Sequence, residues 1–215
     1  MARDWLEWYK HYDDPTSSLG RRLPVVRAQV AAVLRSLPDS ARLLSLCAGD
    51  GRDTLPVLAE VAPRITATLV ELNGEFAERA RRTAAELALG GVTVRTGDAG
   101  MCRSHRGAVP ADVVLLCGVF GNVTDEDVAN TVEHLPELLA PGGVVIWTRG
   151  SRADQDPSAW AGDPSEYVRG LFAARTFEEL AFVKPDDAGF RVGVHRLVGR
   201  PRPFDPAVRL FTFVK

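Results

Sequence analysis

The 215-residue chain predicts an α/β domain, a mostly parallel sheet with helices on both faces. Three observations carry the prediction. From Arg42 onward, short apolar runs alternate with stretches of helical periodicity. The runs show little polar–apolar alternation, as in strands buried on both sides. Parallel strands also need long crossovers, which helices supply. With 46% hydrophobic and 25% charged residues, the composition is that of an average soluble globular protein and excludes a disordered chain, a coiled coil and a collagen-like repeat. The length suits one domain over 1–215, and no internal repeat or linker divides it.

The first 23 residues are rich in rings, with Trp5, Trp8, Tyr9, His11 and Tyr12. They read as a short helix that breaks at Asp13-Asp14-Pro15, because proline biases its predecessor away from helix. Pro24 suits the first position of a second helix, with Val25, Val26, Val30, Val33 and Leu34 as its apolar content. That helix stops near Leu37-Pro38-Asp39. Leu43–Cys47 is the first strand, followed by a glycine turn and a helix through Leu55, Leu58 and Ala59. Ile65–Glu71 is the second strand, and a helix from about Gly74 to Leu89 follows it. Val92–Val94 and Ala111–Cys117 are the third and fourth strands. A helix from about Asp125 to Leu139 leads through Pro141-Gly142-Gly143 into a fifth, Val144–Trp147. Beyond it come a helix over Ser165–Ala173, a strand over Glu179–Val183 and a last strand over Arg209–Val214. A turn-rich connection begins at Lys184, and Pro201, Pro203 and Pro206 mark another. Residues 1–40 are a helical segment ahead of the first strand, placed to act as a lid over a pocket.

The net charge of −2, from 26 basic and 28 acidic residues, leaves no electrostatic footprint for nucleic acid. No stretch approaches the roughly 18–20 apolar residues needed to cross a bilayer, and the start lacks the basic-then-apolar run of a secretion signal. Cytoplasmic localisation is therefore the expectation. Cys47, Cys102 and Cys117 are too few and too scattered for a disulfide framework or a metal site.

In an open α/β sheet, ligands bind outside the carboxyl ends of the strands, where strand order reverses. Four such ends carry unusual residues. Cys47-Ala48-Gly49-Asp50-Gly51-Arg52-Asp53 is a turn in which glycine lets the backbone approach a ligand closely, ahead of a helix. Glu71 closes a buried strand, 20 residues after Gly51, the spacing at which an acid reaches a ribose in dinucleotide-type folds. Thr96-Gly97-Asp98-Ala99 offers an acid and a backbone N–H to an adenine edge. Leu116-Cys117-Gly118-Val119-Phe120-Gly121-Asn122 is glycine-rich where a buried strand opens into a loop.

Together these residues resemble the class I S-adenosylmethionine-dependent methyltransferases over about residues 40–150. The resemblance implies a Rossmann-like seven-stranded sheet with one antiparallel strand near the C-terminus, and S-adenosylmethionine as cofactor. It implies further that Ala48, Gly49, Asp50 and Gly51 lie at the methionine end. Glu71 would hold the ribose, Asp98 and Ala99 the adenine, and Leu72, Cys117 and Gly118 would belong to the same cofactor pocket. Two positions depart from the family pattern. Ser45 stands where an acid is usual, and Cys47 where the first glycine is usual. Asp50 or a backbone carbonyl is therefore expected to hold the cofactor's amino group. A nicotinamide site is disfavoured, because Thr54 stands where Gly-x-Gly-x-x-Gly needs its third glycine.

The resemblance implies in-line methyl transfer to an acceptor, and the short chain leaves no separate domain for recognising a macromolecule, so a small molecule is expected. Such transfer needs alignment and exclusion of water, and a base only if the acceptor arrives protonated. His195 and His11 are the candidate bases. Tyr12, Asn122 and Arg149 are candidate acceptor contacts, Arg149 because a guanidinium pairs bidentately with a carboxylate. The alternative is a cofactor-binding protein without transferase activity, a sensor or assembly partner, since a fold does not guarantee an activity.

Overall fold

The structure, a computed structural model, describes residues 5–150 and 163–214; Met1–Asp4, where the predicted lid segment begins, lie outside them. Helix α1 (Trp5–Tyr9) runs into a 3₁₀ turn (Lys10–Asp13), and α2 spans Ser18–Leu34. The strands and helices then alternate: β1 (Arg42–Leu46), α3 (Leu55–Val61), β2 (Thr66–Glu71), α4 (Gly74–Glu86) and β3 (Val92–Thr96). A 3₁₀ turn (Cys102–His105) precedes β4 (Ala111–Leu116), α5 (Asp125–Leu138) and β5 (Leu139–Gly150). The described chain resumes with α6 (Pro164–Ala173), β6 (Phe177–Val183) and β7 (Phe190–Leu197).

The seven strands form one sheet in the order β3-β2-β1-β4-β5-β7-β6. All are parallel except β7, which runs antiparallel between β5 and β6. This is the predicted architecture. Strand order reverses between β1 and β4, where Ser45 pairs with Leu115; the crevice above their carboxyl ends is the place for a ligand.

Two apolar layers cover the sheet. On one face Leu44, Leu46, Val114, Leu116 and Trp147 pack under Val132 and Leu135 of α5 and Phe172 of α6. On the other, Leu43, Leu69, Val113 and Ile146 pack under Val30 and Leu34 of α2, Leu58 of α3 and Ala80 of α4. Strands covered on both sides have no polar face to show, which explains the unbroken apolar runs of the sequence.

Two elements differ from the sequence prediction. Helix α2 starts six residues before Pro24, which lies inside it. The Ser17 hydroxyl accepts the Gly20 N–H at 2.9 Å and caps the helix early. The predicted last strand, Arg209–Val214, is a tail with one isolated bridge between Arg209 and Met101. The seventh strand is Phe190–Leu197 instead. Its charged members hid it in the sequence, yet Arg191 is buried and satisfied, its Nε donating to Asp163 at 2.9 Å.

Gly193 in β7 faces Trp147 across the antiparallel pair. A Cβ there would fall 2.3 Å from the indole, and close-packed interiors resist such overlap. Gly193→Ala is expected to destabilise the protein by about 1–3 kcal/mol, read as a lowered midpoint in urea unfolding. An unchanged midpoint would mean that the indole packs elsewhere.

Candidate functional site

A cavity of about 340 Å³ opens at the carboxyl ends of β1, β2 and β4, within the size range of small-molecule sites. Its floor is Cys47, Ala48, Gly49, Glu71, Leu72, Asn73, Cys117 and Gly118. Its roof is aromatic: Trp5, Trp8, Tyr9 and Tyr12 from the N-terminal segment, and Phe213 from the C-terminal tail. A larger groove of about 470 Å³ lies at the opposite end of the sheet, beside Pro110 and Leu139 where β4 and β5 begin, away from the switch point.

The turn after β1 is built on left-handed backbone. Cys47, Gly49 and Gly51 have φ of 55°, 58° and 74°. Cys47 thus keeps the conformation of the glycine it stands in for, at the strain a side chain meets there. Glu71 braces this turn from β2. Its Oε2 accepts the Gly49 N–H and its Oε1 the Asn73 N–H, each at 2.8 Å, and the residue is buried. Asn73 caps α4 through the Glu75 and Phe76 N–H groups.

The roof rests directly on the turn. A Cβ on Gly49 would fall 1.7 Å from the Tyr9 hydroxyl, so only glycine admits this contact. The Tyr9 oxygen accepts the Asp50 N–H at 3.2 Å, and the ring lies 4.2 Å from that of Phe76. Arg52 spreads over Tyr9 and Tyr12, 4.7 Å from each ring centre, and holds both carboxylate oxygens of Asp50. Trp5 meets Phe213 edge to face at 5.8 Å, so the two ends of the described chain close over the cavity together.

Of the predicted cofactor residues, Ala48, Gly49, Glu71, Leu72, Cys117 and Gly118 line the cavity. Asp50 does not, being turned to Arg52, and Gly51 lies beneath the turn against Leu55 and Leu69. Asp98 and Ala99 also stand outside the cavity wall. The C-terminal tail crosses there: Leu210 N–H donates to Gly100 O at 2.7 Å, Cys102 N–H to Val208 O at 3.0 Å, and Arg209 pairs with Asp98 at 3.1 Å.

The catalytic expectations are corrected. His195 is buried in the sheet under α6, with Trp147 Nε1–H donating to its Nδ1 at 3.1 Å and the Phe172 ring stacked at 4.2 Å. Burial lowers its pKa to about 4, Glu179 opposing and Arg169 adding to that effect. His11 is exposed and absent from the cavity wall. Of the acceptor candidates Tyr12 lines the cavity, its hydroxyl accepting from Arg22 at 2.7 Å. Asn122 braces the loop after β4 by donating to Gly118 O at 2.7 Å. Arg149 is buried and paired with Asp125 at 2.7 Å, so it is not available to an acceptor carboxylate in the cavity.

Cys47 packs toward the α5 side of the sheet and Cys117 toward the α2 side, so the two thiols do not face each other. Burial raises both well above the ordinary value, helped by Glu71 at Cys47 and by Asp53 at Cys117. A raised thiol pKa disfavours the nucleophilic thiolate at both.

Sequence reasoning missed Asn73, Phe76 and Phe213 as lining residues, and it included Arg52 and Asp53 in the turn motif without giving either a role. Asp53 and Arg52 sit within two residues of Gly51, a signal that proximity to the turn offers. Phe213 gave no signal, because the tail read as a strand. Among the described residues no group of three His, Cys, Asp or Glu is placed to hold a metal ion, and no helix is long and apolar enough to cross a membrane.

Residues 44–145 match the model of a methyltransferase domain family. The curated aclacinomycin 10-hydroxylase RdmB of Streptomyces purpurascens is 41% identical over 105 residues, 48% of this chain; the match spans 26% of the relative's length, about a quarter. Among solved structures, magnesium protoporphyrin IX methyltransferase of Synechocystis, with bound S-adenosylhomocysteine, superposes with a TM-score of 0.67 at 14% identity, covering 89% of this chain and 93% of that one. The N-methyltransferase NodS of Bradyrhizobium japonicum gives 0.57 at 16% identity, covering 86% and 98%. The domain match over residues 44–145 and the sheet order are those seen in class I methyltransferases, which the chain resembles.

Proposed function

We propose that the protein binds S-adenosylmethionine in the cavity above β1, β2 and β4 and transfers its methyl group to a small-molecule acceptor. The observation that carries this reading is Glu71, held at the end of β2 by two backbone N–H groups and lining the cavity beside the glycine turn. Its remaining lone pairs suit the two hydroxyls of a ribose. When bound, the sulfonium supplies an activated methyl carbon, and the protein's task is to align the acceptor and keep water out. The rings of the roof serve both ends.

No histidine lines the cavity, so the acceptor is one that needs no imidazole base. Its lining charges are Arg52, Asp53 and Glu71, and Arg52 is already held by Asp50. A flat, uncharged acceptor fits a site whose described residues offer ring faces and no free cation better than a carboxylate does. The second reading, cofactor binding without methyl transfer, is favoured by one observation: the curated relative is named a hydroxylase.

Thermal unfolding tests the binding half. S-adenosylhomocysteine at about 100 times its dissociation constant adds roughly 2.7 kcal/mol, which for a chain of this length raises Tm by about 5–11 °C. NAD is expected to give no rise, and a rise with NAD alone would overturn the reading. Transfer of label from methyl-labelled S-adenosylmethionine to neutral aromatic acceptors separates transferase from binding protein.

A further inference from the structure

The class I pattern leaves one question open in this chain: what meets the positive amino group of the cofactor. Ser45, at the position of the usual acid, is buried within β1 and bears no charge. Asp50 is taken by Arg52 through both of its oxygens. Glu71 spends one lone pair of each oxygen on the Gly49 and Asn73 N–H groups.

Asp53 differs from all three. It lies on the turn between β1 and α3 and lines the cavity together with Cys117 and Gly118 of the loop after β4, at the point where strand order reverses. Its Oδ1 accepts the Thr54 hydroxyl at 2.9 Å. Among the described residues it forms no salt bridge; Arg22, whose charge favours the ionised carboxylate, donates to the Tyr12 hydroxyl. Burial raises its pKa above the ordinary carboxylate value, with Arg22 opposing that effect. A carboxylate taken out of water without a paired cation is costly, and a ligand ammonium relieves that cost.

We propose that Asp53 is the anchor for the α-ammonium of the cofactor, in place of the acid absent at position 45. This rests on the reading of the cavity as a site for S-adenosylmethionine. Asp53 accepts a charge-assisted hydrogen bond from the ammonium, and so fixes the methionine end over the crevice between β1 and β4.

The test is calorimetric titration of the full chain with S-adenosylhomocysteine and with its analogue lacking only the amino group. The wild-type protein is expected to bind the deaminated analogue about 10- to 100-fold more weakly, the range of one hydrogen bond to a charged group. In Asp53→Asn the two ligands are expected to bind within about threefold of each other, with the analogue's affinity unchanged. Wild-type protein that does not discriminate, or Asp53→Asn that keeps full discrimination, would overturn the proposal. The wild-type comparison stands even where the variant does not fold. If neither nucleoside binds, the cofactor reading itself fails, which is a separate outcome.

Discussion

Between pH 6.5 and 4 the protein is expected to lose on the order of 6 kcal/mol of folding stability, about 3 kcal/mol through each of two buried histidines. His105 and His195 both have pKa values lowered from 6.5 to about 4, burial being the chief cause. His105 is fully buried below the loop after β3. Its ring lies near the Ala99 backbone, but neither nitrogen makes a well-formed hydrogen bond; Arg95 disfavours its charge and Asp98 favours it. At His195 the Trp147 N–H points at Nδ1, so a proton arriving there faces a donor. Glu179 lies 3.5 Å from Nε2 but is already held by Arg169. In the unfolded chain both rings take up protons near pH 6.5, while the folded protein resists until about pH 4. The unfolded state therefore binds more protons across this window, and stability falls as pH falls.

Two carboxyl groups bound the effect. Asp163, lowered by Ser165, Arg191 and Lys184 against its own burial, gives up its contribution only at lower pH. Asp53 acts in the opposite sense, because its raised pKa lets the folded protein take up a proton earlier. Urea unfolding at pH 7, 5.5 and 4.5 checks the sign. The midpoint should drop steadily, and His195→Leu should remove about half of the slope. A midpoint that holds to pH 4.5 would show that both rings have polar company when folded.

The architecture was legible because its causes are local. Strands β1 to β5 announce themselves as apolar runs closed by glycine or an acid, and the helices between them by period. Strand β7 was not legible, since Arg191 and His195 break its apolar run and their partners, Asp163 and Trp147, are distant in sequence. The glycine turn and Glu71 were legible as a pair because spacing alone brings them to neighbouring strand ends. The roof was legible only as an aromatic excess before β1; which rings enter the cavity depends on Gly49 admitting Tyr9 and on the tail carrying Phe213 to Trp5. Asp98 shows the limit in the other direction. Its position after β3 is as expected, yet the Arg209 tail occupies it, and no periodicity tells that a tail folds back there.

Glu71 braces the glycine turn and is the proposed ribose ligand, and its substitution has the largest expected effect of any in the site. An ionised carboxylate is acceptor-only, so each oxygen can serve one backbone N–H and still face a ligand. Glu71→Gln keeps the shape but turns one oxygen into an NH₂. Whichever way the amide flips, a donor then faces the N–H of Gly49 or of Asn73. The loss of one charge-assisted bond and the orphaned N–H together cost about 3–5 kcal/mol, lowering Tm by about 6–20 °C at this chain length. Glu71→Ala orphans both groups and removes the proposed ribose contact as well, so the rise in Tm with S-adenosylhomocysteine should vanish. Asp98→Asn makes the contrast. Its pair with Arg209 is half exposed, and exposed pairs contribute about 0–1 kcal/mol, so its Tm should fall by no more than about 4 °C. Differential scanning calorimetry of the three variants, with and without ligand, separates the two duties of Glu71. A Glu71→Gln protein that melts like wild type would show that the glycine turn stands without its brace, whereas one that melts early yet still gains stability from the nucleoside would move the ribose contact to another residue.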